Sequence, residues 1–143
     1  YFVPEWEINI QTPSGGLDVL ATALDDQIDL FQGQYSHCMY VRDHGRCRFK
    51  SEEGAHGGAE NTIQEVDSVE LIISIPQSDE TLIKLLDVIN EFHVHEEPTV
   101  RLNSTLGLRS KYAGDADNPN KYWNKANKDK LHGKAIANVG NRK

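Results

Sequence analysis

Between Trp6 and Gln11 the chain reads Trp-Glu-Ile-Asn-Ile-Gln, apolar and polar in strict alternation. A period of two belongs to a strand with one buried face. Thr12-Pro13-Ser14 breaks the pattern, with Thr12 placed to cap a helix and Pro13 at its first position. Leu17, Leu20, Ala21, Leu24 and Ile28 follow at helical spacing and share one apolar face. That helix runs out near Gln27, and Gly33 marks a turn. Tyr35 to Arg42, rich in aromatic and β-branched residues, predicts a second strand. Asp43-His44-Gly45-Arg46 predicts a hairpin with His44-Gly45 as its two-residue loop, and Cys47 to Lys50 the returning strand.

Residues 51–62 are acidic and Gly-rich and form the longest loop of the body. Val66 to Ile75 is the most apolar strand and therefore the central one. Ser78 caps a second helix with Asp79 and Glu80 in its first turn, where the helix dipole favours acids. Leu82, Leu85, Leu86, Ile89 and Phe92 line one side of it. A polar turn, His93 to Pro98, leads into a last strand at Thr99–Asn103. The order β-α-β-β-α-β predicts an α+β, ferredoxin-like sandwich, one antiparallel sheet with two helices on one face. The other face then needs cover, from further subunits or from the tail, because soluble proteins rarely expose a whole apolar sheet face.

Charge divides the chain near residue 108. Residues 1–108 carry 6 Lys/Arg against 19 Asp/Glu, a net of −13, and residues 109–143 carry 9 against 3, a net of +6, together −7. We read 1–108 as the ferredoxin-like domain and 109–143 as a basic C-terminal extension with a short helix. Asp117-Asn118-Pro119 would start that helix, Tyr122, Trp123, Ala126 and Leu131 give it apolar surface, and Gly133 ends it. Trp123 is its expected docking residue, and the tail is a candidate surface for a protein partner. The acidic body argues against nucleic acid as a partner, since phosphate binding needs clustered cations. No apolar run approaches the roughly 20 residues of a membrane helix. Two cysteines make no disulfide framework, which fits a reducing cytoplasm.

The densest group of potential ligands is His93-Val94-His95-Glu96-Glu97-Pro98. Imidazole and carboxylate together suit zinc, copper or nickel. The structural alternative is a polar turn, with His93 favoured at a helix C-terminus on dipole grounds alone. In the expected second strand His37 shares a face with Tyr35 and Met39, and Cys38 with Tyr40 and Arg42, so the two point apart. Cys38 also reads as a small buried hydrophobe. Cys47, opposite Arg42, would lie about 13 Å along the strand from Cys38 at roughly 3.3 Å per residue, too far for a disulfide. His56, among Gly54, Gly57 and Gly58, sits in a loop that matches no phosphate-binding pattern and lacks the Lys. It reads first as a mobile surface loop, with a binding loop as the alternative. No Ser/His/Asp or Cys/His nucleophile set can be assembled, and no enzymatic activity is expected.

Gly33-Gln34-Tyr35-Ser36-His37-Cys38, Glu53-Gly54, the strand Glu65 to Ile75 and His93-Val94-His95-Glu96-Glu97-Pro98 fall in a familiar order. Over residues 6–103 the chain resembles a YqfO-type CutA-like protein, whose corresponding stretches read G-N-Y-D-H-C and H-P-Y-E-E-P. The resemblance implies a CutA/PII-like ferredoxin fold, a homotrimer, and either divalent-metal tolerance or sensing of nucleotides and metabolites at clefts between subunits. The same module occurs as an insert in larger dinuclear-metal proteins, whose metal site lies outside it. His37, Cys38, His93, Glu96, Glu97 and Pro98 carry over, while Val94 stands for Pro and His95 for Tyr. The expected metal set is His37, His93, His95, Glu96 and Glu97. Cys38, Gly54, His56, Gly57 and Gly58 are the expected contacts of a small ligand. The alternative is a regulatory protein that clamps a nucleotide or anion with the 51–62 loop and the basic tail.

Overall fold

A buried aliphatic layer between one sheet and two helices organises the protein. Ile8 and Ile10 of the sheet's first strand meet Leu71, Ile73 and Ile75 of the third, and Leu20, Leu24, Leu85, Val88 and Ile89 cover them from the helices. Each such side chain, fully withdrawn from water, contributes roughly 1.5–3 kcal/mol. The computed structural model describes residues 1–58, 61–109, 118–119 and 121–127. It divides the chain into two compact units, Tyr1–Arg109 and Ser110–Lys143.

The first unit runs β1 (Phe2–Pro13), a 3-10 turn (Ser14–Gly16), α1 (Leu17–Gln27), β2 (Tyr40–Lys50), β3 (Ile63–Pro76), α2 (Asp79–Phe92) and β4 (Val100–Leu108). The sheet order is β2-β3-β1-β4, with every neighbouring pair antiparallel. This is the expected α+β ferredoxin-like sandwich. Ser78 caps α2 as the sequence indicates, its hydroxyl accepting from the Thr81 N–H at 3.4 Å, with Asp79 and Glu80 in the first turn. Cys38 and Cys47 are both free thiols. No helix among the described residues is long and apolar enough to cross a membrane.

Four local expectations change. Thr12 does not cap α1. It is an inward-facing strand residue in phase with Ile8 and Ile10, fully buried and paired with Val69. Ser68 donates its hydroxyl to the Thr12 carbonyl at 3.2 Å, so the strand continues to Pro13 and α1 starts without a side-chain cap. The segment Asp43–Arg46 is no hairpin. β2 is one continuous strand, and His44-Gly45 forms a bulge in it, marked by a register shift against β3 between Arg42 and Gly45. His44 takes φ +67°, and Gly45 comes so near the Ser68 carbonyl that a Cβ would sit 2.9 Å from its oxygen. The 14-residue β3 is long enough to pair with both halves of β2, so the chain turns only afterwards, in the 51–62 loop. Tyr35 to Met39 is a turn rather than strand, with His37 at φ +56° and the Cys38 N–H donating to the Leu30 carbonyl at 2.9 Å. Finally, β4 is longer than Thr99–Asn103.

The far face of the sheet is polar, not the apolar surface expected. Glu7, Asn9 and Gln11 of β1, Glu70 and Ser74 of β3, and Arg101 and Asn103 of β4 occupy most of it by register, around the apolar pair of Ile72 in β3 and Tyr40 in β2. Asn9 donates to Glu70 at 3.1 Å, and Arg42 pairs with Glu70 at 3.6 Å. Lower on the same face the carboxylate of Glu5 pairs with Arg109, beside Gly107, where a Cβ would collide with it. Further exposed apolar side chains lie on the edge strands, at Val41 of β2 and at Leu102, Leu106 and Leu108 of β4.

In the second unit the described residues form a 3-10 turn, Tyr122–Asn124. Asn118 takes part through its carbonyl, which accepts from the Lys121 N–H at 3.1 Å and the Asn124 side chain at 2.7 Å. Asp117, Leu131 and Gly133 of the expected helix lie outside the described residues. The bulge gives a direct stability test by urea denaturation. Gly45→Ala should cost about 1–3 kcal/mol, whereas Ile83→Ala, 61% exposed on α2, should stay within about 0.5 kcal/mol. Equal effects would mean that the Ser68 approach relaxes without cost.

Candidate functional site

β1 ends, and α2 ends, at the same edge of the sandwich. There His93 leaves the helix in an extended conformation, φ −78° and ψ 136°, its own N–H still bonded to the Ile89 carbonyl at 2.9 Å. Its Nε2–H donates to the Gln11 carbonyl at 2.7 Å. Its Nδ1 accepts from the His95 N–H at 3.0 Å. The two contacts require the neutral Nε2–H tautomer and occupy both ring nitrogens. Burial holds the His93 pKa below its ordinary value of 6.5, with the neighbouring His95, ring centroids 5.3 Å apart, acting in the same direction and the Gln11 hydrogen bond opposing both. His93 is therefore the pin that closes the 93–97 turn. Val94 lies against Gly16, whose missing Cβ would stand 3.1 Å from a Val94 methyl.

Beyond that pin the turn meets the Gly-rich loop. Glu96 Oε1 accepts from the His56 backbone N–H at 2.6 Å, and Oε2 contacts His56 Nδ1 at 3.2 Å. These bonds from the His56 side chain and backbone, with a further one from the Gly57 backbone, hold the Glu96 carboxyl below the usual carboxylate range. The loop is tied at its base. Buried Ser51 donates its hydroxyl to the Gly57 carbonyl and accepts the Asn61 N–H on its own carbonyl at 3.1 Å. Gly54 and Gly58 take φ +94° and +77°, values that favour glycine. A Cβ on Gly58 would also meet Ser51 Oγ at 2.8 Å.

The two expected site sets are thus redistributed. His93, His95, Glu96 and Glu97 share one turn with exposed Glu97 at its end, and the structure adds His56 and Gly57 to it through Glu96. His37 and Cys38 are elsewhere. His37 Nδ1 pairs with Asp25 at 3.2 Å, near the C-terminus of α1. An 11-residue helix, about 16 Å long, separates that point from the Pro13 end of β1. The Cys38 thiol lies 3.5 Å from the Tyr35 carbonyl. Among the described residues no three His, Cys, Asp or Glu side chains gather as a metal-binding group. Asp25 and the Gln11 carbonyl, partners of the two histidines, carried no signal in the local sequence because both contacts are long-range.

The sequence matches no family model and no curated protein. Likeness appears in three dimensions. A Bacillus cereus protein related to NIF3 is 22% identical with a TM-score of 0.60 over 76% of this chain, which spans only 29% of that longer protein. CutA1 from Oryza sativa is 16% identical with a TM-score of 0.54, over 75% of this chain and 84% of its own. CPII, a nitrogen regulatory PII-like protein from Thiomonas intermedia solved with ADP, AMP and bicarbonate, is 14% identical with a TM-score of 0.50, over 77% and 99%. The ferredoxin-like fold of this chain is the one that CutA and PII-like proteins share.

The pin has a pH signature. With its folded-state pKa below 6.5, His93 stays neutral in the fold while the unfolded chain already takes up a proton. Its contribution is fully present above the ordinary value and declines as pH falls toward the folded-state value. Urea midpoints measured from about pH 7.5 to about pH 5.5 should fall for wild type and fall less for His93→Gln. Parallel slopes would show that His93 is not the responsible group.

Proposed function

We propose that this chain is a CutA/PII-like binding module that takes a small ligand where the 51–62 loop folds onto the 93–97 turn. The contact of His56 with Glu96 carries the reading, because it joins residues from the two sets that the sequence marks separately. Within the superfamily we favour the YqfO-type branch, on the His37-Cys38 and His93–Pro98 motifs. The likeness to under a third of a longer Bacillus cereus protein fits a module that also occurs as an insert. The role is sensing or divalent-metal tolerance rather than catalysis, in the cytoplasm.

A transition-metal reading, with zinc, copper or nickel, has one observation of its own. His56 and Glu96 are already in contact, and His95 is adjacent in the chain. Imidazole and carboxylate would then supply the ligands, but His93 would have to give up a backbone bond to join them. For the assembly we favour a homotrimer. The support is no longer an apolar sheet face but the two edge strands, β2 and β4, each with exposed apolar side chains and, among the described residues, one backbone side outside the sheet's pairing.

Since the Thiomonas intermedia neighbour was solved with ADP, AMP and bicarbonate, adenine nucleotides with bicarbonate lead the panel. A thermal-shift screen of wild type should find a stabilising ligand whose effect falls several-fold in His56→Ala. Calorimetry with the three metals decides the other reading. Binding no tighter than that of an unrelated His-containing protein excludes it. Light scattering at micromolar concentration should give three copies per particle, and a monomer would remove the assembly from the proposal.

A further inference from the structure

The Gly-rich loop treats the Glu96 carboxylate as a ligand. One carboxylate oxygen sits on the His56 backbone N–H at 2.6 Å and the other beside His56 Nδ1 at 3.2 Å, so both oxygens of a planar group are met. Gly57 follows with its backbone open toward the carboxylate, since even a Cβ built on it would lie 3.8 Å from Oε1. The loop is shaped for this independently of Glu96. Ser51 clamps the Gly57 carbonyl from below, and Gly54 and Gly58 supply the left-handed conformations on either side. Glu96 itself is held loosely. It projects from an exposed turn and remains half exposed in the contact.

The geometry points to a carboxylate seat in the 54–58 loop that Glu96 occupies as a tethered internal ligand, so that a compact carboxylate from solution enters by displacing it. Glu96 is then a latch. While it is seated, the loop is fixed to the 93–97 turn. When an external carboxylate takes its place, the turn and the loop are released from each other. The inference rests on the binding-module reading above and deepens it by naming the ligand's anchoring group. An exposed self-ligand competes at the high effective concentration of a short tether, so wild type should bind simple carboxylates weakly.

The test uses the full chain and acetate, read by the amide resonances of His56 and Gly57. Glu96→Ala vacates the seat. Its His56 and Gly57 amides should shift saturably with acetate, with a midpoint at least fivefold lower than in wild type. Glu96→Gln, which keeps the side-chain volume and an accepting oxygen, should fall between the two. Replacing His56 by Ala in the Glu96→Ala background should weaken acetate several-fold. Sodium chloride at matched ionic strength should leave the amides unmoved. Shifts equal to those with chloride, or the same midpoint in Glu96→Ala as in wild type, overturn the seat. Inorganic phosphate saturating below acetate overturns the carboxylate assignment. The two readings fail separately. A silent ligand screen of wild type beside a successful acetate titration of Glu96→Ala sinks the binding-module reading and keeps the seat, and the reverse pattern does the opposite.

Discussion

The pairing of β1 with β3, in the register that sets Ile8 against Ile73 and Ile10 against Leu71, constrains everything else in the first unit. It fixes which face of the central strands is apolar and hence where both helices must lie. It also carries β1 straight through Thr12, whose buried position opposite Val69 leaves no room for the helix start that Thr-Pro-Ser suggests. With β1 extended, Gln11 reaches the end of the sandwich. Its N–H bonds to Thr99, its carbonyl to His93 and its side chain to the Cys47 thiol. One strand end thus anchors α2, β4 and β2 together.

That anchoring turns a histidine-rich segment from a ligand set into a built turn. His93 cannot serve as a metal donor without releasing either the Gln11 carbonyl or the His95 N–H. Burial pushes it toward the neutral form that both bonds require. The chemistry left for solvent moves one step outward, to Glu96 and to the loop that reaches it. His37, which sequence alone groups with these residues, is committed to Asp25 beside the far end of α1.

The fold was legible because its signals were periodic. Alternation in Trp6–Gln11, the helical spacing of Leu82, Leu85, Leu86 and Ile89, and the Ser78 cap each have one structural solution. His44-Gly45 has two, since a residue with positive φ next to glycine serves a bulge as well as a hairpin, and only the length of β3 decides between them. The polar far face was readable in Glu7, Asn9 and Gln11, which alternate with the core residues of β1. General topology outweighed that evidence in the expectation of an apolar second face. The site was half legible. Residue types marked the 51–62 loop and the 93–97 turn, but no local pattern shows that residues 56 and 96 meet.

The meeting point is placed where a binding module can use it. The core of Ile8, Ile10, Leu71 and Ile73 lies within the sandwich, and the contact between loop and turn adds only exposed hydrogen bonds at its rim. Exposed pairs of this kind contribute little to global stability and open independently of the core. A loop that is clamped at its base by Ser51 yet joined to the turn through one carboxylate can change partners without disturbing the sheet. The Val94 contact with Gly16 and the His93 pin hold the turn in place while this happens. Rigid support lies beneath, and above it the loop and the turn meet through one exposed carboxylate.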